Sequence, residues 1–329
     1  MKTIAGFLFK ALALILVAIS INFLLIHLMP GDPIIHIVGE QEYFTLQEKY
    51  PEKLEEIRAQ YDLDGSLPMQ YVSFVRNTIT FQFGKSYITG EKIVDVVLFR
   101  MKWTLILAIS SIIISAIIGG ALGVIAGYFK GSKLDASLTF IFLLLETMPA
   151  NCLALLMLMV FAFELRWFPI GGMASGGLMG FAKLLDTIHH MALPVIVLSL
   201  FRISSNFLLL KSFVSQIREE EFILTAIAKG LPKRVLLGKH ILRNVIVPYA
   251  TILCIQFGFV FSGSMLIEVV FSWKGMGTLF YSAVIARDYP TVQLCFLITT
   301  VCIIFFHFIA DVLAWRLDPR IKDGMMNEE

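Results

Sequence analysis

The sequence predicts an all-α integral membrane protein with six transmembrane helices and a long external loop after the first helix. Hydrophobic residues make up 57% of the 329 residues and charged residues 16%, and the mean hydropathy is +0.80. This composition is more apolar than that of a soluble globular protein. The apolar residues also gather into six runs long enough to cross a bilayer, and the short connections on one side of these runs are basic.

The six runs divide the chain into four parts. We predict an N-terminal transmembrane helix at 1–29, an external loop region at 30–102, a five-helix core at 103–315 and a cytoplasmic tail at 316–329. The spans are expected at 7–29, 103–128, about 136–163, 193–211, 249–270 and 293–315. The first run follows Lys2 like a signal peptide, but it is too long and ends at Pro30 without a small-residue cleavage site. We therefore expect it to be retained.

The external loop region contains two helix candidates. Pro51 and the acidic residues after it predict a helix over 51–61. A second helix is predicted over 69–79, where one face is apolar and suits a position at the membrane surface. That face is formed by Val72, Phe74, Val75 and Ile79.

Glycine and proline predict how the second and third spans pack. Gly119, Gly123 and Gly127 recur every four residues on one face, a spacing that allows close approach of a neighbouring helix. An equally good alternative is that each glycine is simply tolerated there. Pro149 lies in the middle of the third span, where it frees a backbone carbonyl and often marks a transport pathway.

Four ionisable side chains fall inside predicted spans, where a central charge costs roughly 2.5–3.5 kcal/mol on insertion scales. Glu268 and Asp311 lie near span ends, which favours interfacial positions. Glu146 and Arg202 lie deeper. We hypothesise that these two line the transport path or pair with each other, and the alternative is that they pair with another subunit.

The charged stretch at 212–247, between the fourth and fifth spans, is patterned as a helix, a turn and a second helix. Apolar residues at helical spacing precede Gly230 and Pro232, and a second apolar series follows them. Basic residues crowd the second half, which places this loop in the cytoplasm. Six spans then put both termini on the cytoplasmic side.

A specific set of residues in this loop carries a resemblance to a known family. The set consists of Thr225, Ala226, Ala228, Lys229, Gly230 and Arg234, with Val235, Leu236, His240, Arg243, Asn244 and Pro248 after them. These residues closely resemble the cytoplasmic coupling loop of ABC importer permeases of the oligopeptide, dipeptide and nickel branch. Segments at 29–33, 63–71, 83–87, 263–277, 286–290 and 317–321 extend the resemblance over nearly the whole chain.

One departure from the general importer pattern narrows the resemblance to one branch of the family. The general importer pattern places Glu-Ala-Ala four to six residues before the glycine, and this chain has Leu224, Thr225 and Ala226 there. The peptide and nickel branch shares this departure, so it favours that branch over other importers.

The resemblance implies the first permease subunit of an importer with the type I permease fold. Such a chain forms half of the pathway with a second, similar permease. Two ATP-binding cassette ATPases close on ATP, and the coupling loops of the two permeases transmit that closure; in this chain the coupling loop is the loop at 212–247. A solute-binding protein outside the membrane delivers the substrate. That substrate is an oligopeptide or dipeptide, or alternatively nickel or a metal chelate. The implied location is a bacterial or archaeal cell membrane.

The resemblance also implies roles for individual loop residues. Gly230 would permit the turn. Ala226 and Ala228 would let the short helix fit a shallow groove on the ATPase. Lys233 or Arg234 would pair with acidic residues of that partner.

Two interpretations from other classes fit less well. An intramembrane enzyme needs a reactive constellation, and His307 with Asp311 one turn later is not sufficient. An ion-driven transporter would show internal repeats with matched broken helices, whereas Pro149 has no counterpart in a second half.

No cofactor, resident metal or nucleic-acid partner is expected. The tripeptide Gly84-Lys85-Ser86 imitates a phosphate-binding loop, but the glycine required five residues earlier is replaced by Ile79. The four cysteines lie in apolar runs without metal-ligand spacing. The adjacent histidines at 189 and 190 are interpreted as interfacial polar residues rather than as metal ligands.

Overall fold

The computed structural model describes residues 2–27, 33–60, 66–86, 90–286 and 288–317, and this part of the chain is almost entirely helical. It contains an isolated β-bridge between Lys85 and Lys92 and no named strand. Five helices are long and apolar enough to span a membrane, and one pair of helices joined at a bend adds a sixth span if it is counted together. The predicted all-α membrane architecture is confirmed.

The helices are numbered here in chain order. They are α1 (Lys2–His27), α2 (Pro33–Val38), α3 (Glu40–Lys49), α4 (Pro51–Gln60), α5 (Leu67–Ile79), α6 (Ile93–Tyr128), α7 (Lys133–Thr147), α8 (Ala150–Met157), α9 (Gly180–Arg218), α10 (Glu221–Ala228), α11 (Lys233–Val235), α12 (Leu242–Gly258), α13 (Val260–Val270), α14 (Met276–Ile285) and α15 (Tyr289–Leu317). Two π-helical segments, Leu158–Glu164 and Leu236–Ile241, follow α8 and α11 directly.

The chain forms two compact units. One consists of Met1–Thr104 and Lys274–Phe305, and the other of Leu105–Trp273 and Phe306–Glu329. The long helices α6 and α15 each contribute residues to both units.

In the first unit, the region predicted as a long polar loop is mostly helical. The helices α2, α3 and α4 pack around a small core formed by Ile34, Leu46 and Leu54. The predicted helix over 51–61 corresponds to α4. The second predicted span begins at Ile93 rather than at residue 103, because the polar residues before 103 lie on a continuous helix that hydropathy alone does not detect.

The predicted surface helix is α5, and it packs against α1. The ring of Phe23 lies 5.3 Å from that of Tyr71 and 5.6 Å from that of Phe74, and the hydroxyls of Ser20 and Tyr71 are 2.7 Å apart. Val72, on the predicted apolar face, is exposed. The apolar face is therefore divided between α1 and the protein surface.

In the second unit, the predicted third span is two helices rather than one. The segment from α7 to the π-helical end at Glu164 bends by 98° between Thr147 and Ala150. At the bend, Met148 is extended, with φ −80° and ψ 129°, because the ring of Pro149 disfavours the helical conformation for the residue before it. The predicted third span at about 136–163 thus corresponds to a bent helix pair, and the bend lies at the predicted central Pro149.

The predicted fifth span also differs from the structure. A continuous helical segment runs from Lys233 through the π-helical turn to Gly258, and Phe259 then separates it from α13. Hydropathy misses this break because the residues on both sides of it are apolar. The predicted fourth span lies inside α9, which extends 39 residues and contains Pro194 without ending there.

The glycine spacing in α6 corresponds to close packing against α9. A Cβ on Gly119, Gly123 or Gly127 would lie 2.7 Å from the carbonyl oxygen of Ile203, Phe207 or Lys211, respectively. These oxygens are also four residues apart, so the two helices run in register over two turns. The prediction of a close helix contact is confirmed, because only glycine fits where the obstructing atoms are backbone.

Candidate functional site

The candidate site is the loop between α9 and the helical segment that starts at Lys233. It contains the predicted helix, turn and second helix. Both ends of the predicted loop at 212–247 belong to long helical segments, so that the connection between these segments is shorter than 212–247. Residues up to Arg218 belong to α9, and those from Lys233 belong to the helical segment that reaches Gly258. The chain therefore connects α10 to a membrane-length helix on each side.

A tight turn stops α10. The amide of Gly230 donates to the carbonyl of Ile227 at 2.9 Å, and the amide of Leu231 donates to the carbonyl of Ala226 at 3.3 Å. This pair of bonds is the Schellman pattern, which requires a left-handed residue after the helix end. Gly230 supplies it with φ +75°, and nothing lies within 4 Å of the Cβ that another residue would add. The glycine is needed for its backbone conformation rather than for space.

One face of α10 is buried against its own chain. Ile223 and Ala226, three residues apart, join a core that also contains Val214 of α9, Leu236 of the π-helical turn and Val245 of α12. The exposed fraction of Ala226 is only 6%. Ala226 therefore packs within its own chain, because helical periodicity places it on the same face as Ile223, and its role in fitting a partner groove stays a prediction.

The opposite face of α10 is apolar and exposed. The exposed fractions are 44% for Phe222, 55% for Leu224 and 48% for Ile227. Thr225 and Ala228 are exposed between them, and the hydroxyl of Thr225 donates to the carbonyl of Glu221 at 2.9 Å. We call these five residues the outer face of α10. Lys229, Lys233 and Arg234 are also exposed beside it.

Polar contacts attach the start of this loop to the turn between α6 and α7. Lys130 Nζ donates to Glu219 Oε1 at 2.6 Å, and this hydrogen bond lowers the pKa of the Glu219 carboxyl. Arg218 donates to the carbonyl of Tyr128, and its guanidinium lies 5.5 Å from the centre of the Tyr128 ring. The end of α9 is thus fixed to the end of α6.

A buried ion pair, which the sequence did not single out, lies deeper between α7 and α9. Lys211 Nζ is 2.6 Å from Asp135 Oδ1 and donates to Thr139 Oγ1 at 2.6 Å. The carboxylate of Asp135 also accepts from the amide of Gly131 at 2.9 Å. These two charges lie at the ends of predicted spans, where charged residues are common. The sequence alone therefore does not indicate that Lys211 and Asp135 pair.

Further along the same helix pair, Phe142 of α7 packs on Phe207 of α9 with ring centres 4.5 Å apart. Glu146 then accepts from the hydroxyl of Ser205 at 2.8 and 3.0 Å. The α7 residues 135, 139, 142 and 146 therefore form one stripe that follows α9 from Lys211 towards its start.

The hypothesised pair between Glu146 and Arg202 does not form in this structure. Among the described residues, Arg202 has no hydrogen-bond or ion-pair partner, and the side chain of Glu146 accepts hydrogen bonds from Ser205 alone. The reason is the bend at Pro149: α7 ends at Thr147, so the turn of α9 that carries Arg202 lies beyond its last residues.

A second feature missed in the sequence is a polar chain across α6, α9 and α12. Asn206 donates to Ser115 Oγ at 3.3 Å and accepts from Gln256 Nε2 at 2.8 Å. Asn206 is fully buried. In the sequence, the only sign of this polar chain is that Asn206 and Gln256 are isolated amide side chains within apolar runs. Glu268, expected at an interface, is also fully buried and accepts from Ser264 at 3.1 Å.

These helices, with an exposed apolar helix on a basic loop between two of them, define a polytopic membrane protein. The chain matches the family "Binding-protein-dependent transport system inner membrane component" over residues 119–323. It also matches that family's N-terminal membrane component over residues 4–108. The chain therefore belongs to the binding-protein-dependent transport permeases of ABC importers. It is a multi-pass bacterial inner-membrane transport subunit rather than an enzyme itself.

Relatives of known name agree with this family. A putative peptide permease from Brucella suis is 32% identical over 312 residues, which cover 94% of this chain and 96% of that protein. The oligopeptide transport permease AppB of Bacillus subtilis is 30% identical, with 94% and 95% covered. The glutathione transport permease GsiC of Escherichia coli O1:K1 is 30% identical, with 91% and 92% covered.

Proposed function

We propose that this chain forms half of the pathway of a peptide importer and that α10 couples the pathway to an ATPase. The observation that carries the coupling role is the outer face of α10. Three large apolar side chains are exposed there on a basic loop, although burial of apolar surface is the main driving force for protein association. A helix with such a face suits a groove on a partner.

The contacts of the loop support transmission of movement. The inner face of α10 is packed on α9 and α12 through Ile223 and Ala226, and the turn at Gly230 fixes its end. Such packing is not continuously deformable, so a push on α10 moves the attached helices.

The proposed substrate is a peptide. The relatives described above are named for peptide, oligopeptide or glutathione transport, which favours peptides over nickel or a metal chelate. Among the described residues, no three His, Cys, Asp or Glu side chains are placed to hold a metal ion.

The proposed assembly contains a second, homologous permease, two ATP-binding cassette subunits and a solute-binding protein on the outer side. In this proposal both termini lie in the cytoplasm, on the side of the basic loop, because basic loops favour the cytoplasmic side. The predicted tail at 316–329 falls mostly outside the described residues.

A substitution on the outer face tests the coupling role. Leu224→Asp places a charge on the proposed contact surface, while Leu224→Met at the same position keeps it apolar. In a strain lacking the chromosomal gene, we expect Leu224→Asp to abolish uptake of labelled peptide and co-purification of the ATPase, with the permease still present in the membrane. Uptake by Leu224→Asp equal to that by Leu224→Met would show that this face is not the coupling surface.

A further inference from the structure

Arg202 is a cation in the middle of the membrane-length helix α9, and it has no counterion among the described residues. Its side chain is half-buried, and no described residue accepts a hydrogen bond from it or forms an ion pair with it. A charge in this setting is costly unless it faces water, a partner or a ligand. Arg202 therefore faces water, a partner or a ligand rather than an anion of the described part of this chain.

The neighbouring helix leaves room for this guanidinium. Nη2 of Arg202 lies 3.2 Å from the position that a Cβ on Gly263 of α13 would occupy. Any larger side chain at 263 would crowd the guanidinium.

Glu146 supplies the opposite charge about one turn away. Its carboxylate is held by the hydroxyl of Ser205, three residues after Arg202 on α9. An ionised carboxylate can accept about four hydrogen bonds, so this single hydroxyl leaves most of its capacity unused. The side chain is half-buried, which leaves its remaining oxygen surface open to a donor.

The two charges are therefore held near one face of α9 and are not neutralised by each other. The backbone positions of Arg202 and Ser205, three residues apart on α9, differ by about 4.5 Å along the helix axis. The charged ends of an extended dipeptide are separated by at most about 7 Å. Such a peptide carries one ammonium and one carboxylate, the two groups that complement Glu146 and Arg202.

We propose that Arg202 and Glu146 bind the carboxylate and the ammonium, respectively, of a short zwitterionic peptide as it crosses the membrane. Arginine suits the carboxylate because its planar guanidinium donates two parallel hydrogen bonds. This inference rests on the proposed function, since it specifies how the peptide substrate is recognised in the pathway.

Peptides that lack one charge test the assignment of each residue. Uptake is measured in membrane vesicles that contain the complete transporter with its binding protein, using a dipeptide, its C-terminal amide and its N-acetyl form. Arg202→Gln is expected to raise KM for the free dipeptide on the order of tenfold, the effect of losing a charge-assisted hydrogen bond. It leaves KM for the amide unchanged. Glu146→Gln is likewise expected to raise KM for the free dipeptide and to leave KM for the N-acetyl form unchanged.

Matched variants separate charge from structure. Arg202→Lys keeps the positive charge and recovers part of the lost affinity, and Arg166→Gln in an exposed outer segment leaves all three KM values unchanged. If Arg202→Gln raises KM equally for the free dipeptide and its amide, the carboxylate site is refuted. If it instead releases the second permease from the purified complex, Arg202 pairs with that subunit and the proposal fails.

Cysteine labelling gives a readout that does not depend on delivery by the binding protein. Arg202→Cys in the assembled transporter is labelled with a charged, water-soluble thiol reagent, and labelling of the unsubstituted chain is subtracted. Saturating dipeptide is expected to slow labelling several-fold at 202 and not at Phe140→Cys, an exposed position on α7. No effect of peptide at 202, in vesicles that accumulate peptide, would refute only this inference. A transporter that accumulates no peptide would instead refute the proposed function.

Discussion

Gly127 of α6 lies so close to Lys211 of α9 that a Cβ on the glycine would be 2.7 Å from the lysine carbonyl oxygen. The side chain of the same lysine pairs with Asp135 of α7. One residue therefore joins three helices next to the loop that carries α10. The backbone contact and the ion pair give separate predictions.

The backbone contact predicts that the middle glycine of the series cannot be enlarged. A Cβ at Gly123 would lie 2.7 Å from the carbonyl oxygen of Phe207, and backbone cannot move aside as a flexible side chain can. We expect Gly123→Ala to destabilise the purified permease by about 1–3 kcal/mol, the usual range for overpacking. Thermal unfolding in detergent measures this. Gly238→Ala is the control, because nothing lies within 4 Å of its added Cβ; equal midpoints for the two variants would contradict the close approach.

The turn at Gly230 predicts an order of tolerance set by backbone conformation. Left-handed φ costs most residues roughly 1–2 kcal/mol, while asparagine tolerates it better. We expect peptide uptake to be reduced more by Gly230→Val than by Gly230→Asn, at equal amounts of permease in the membrane. Since space is free around this position, residue size does not decide the order. Equal uptake by the two variants would show that the turn conformation does not limit coupling.

Hydropathy and glycine spacing were sufficient to predict the membrane class, the contact made by Gly119, Gly123 and Gly127, and the helix–turn–helix form of the loop. Each of these depends on local pattern. The bend at Pro149 and the break at Phe259 were missed because a run of apolar residues gives the same hydropathy whether or not the helix is continuous.

The roles of single side chains were less predictable. Ala226 was assigned to a partner surface, but which side of a short helix is buried depends on Val214 and Val245, which come from distant parts of the chain. The same holds for Glu146, whose partner Ser205 is 59 residues away in sequence. Tertiary packing decides such questions, and family resemblance alone identifies only the segment.

The exposed pair at the start of the loop predicts a pH dependence. The hydrogen bond from Lys130 lowers the pKa of the Glu219 carboxyl in the folded chain. A lowered carboxyl pKa stabilises the fold above the pKa of the unfolded state, about 4.3, and the stabilisation disappears as pH falls through the folded pKa. We expect Glu219→Gln to lower the unfolding midpoint slightly at pH 7, and less as the pH falls below about 4. High salt should also reduce the difference.

Glu220→Gln is the control for that experiment. Its side chain has no hydrogen-bond partner among the described residues, so its substitution should leave the midpoint unchanged at both pH values. A difference for Glu219→Gln that grows on acidification would mean that the hydrogen bond from Lys130 does not favour the charged carboxylate.

The buried pair predicts a larger effect with a specific rescue. Lys211→Met leaves the buried carboxylate of Asp135 without its cation. Because Lys211 itself is only partly buried, we expect a cost below the roughly 3–5 kcal/mol that breaking a fully buried pair typically has. Adding Asp135→Asn removes the uncompensated charge, while the amide oxygen can still accept from the amide of Gly131. We therefore expect the double variant to be more stable than Lys211→Met alone, as measured by the unfolding midpoint in detergent. If the loss of stability in the double variant equals the sum of the losses in Lys211→Met and in Asp135→Asn, the charges of Lys211 and Asp135 do not interact. The ion pair then does not hold α7 against α9.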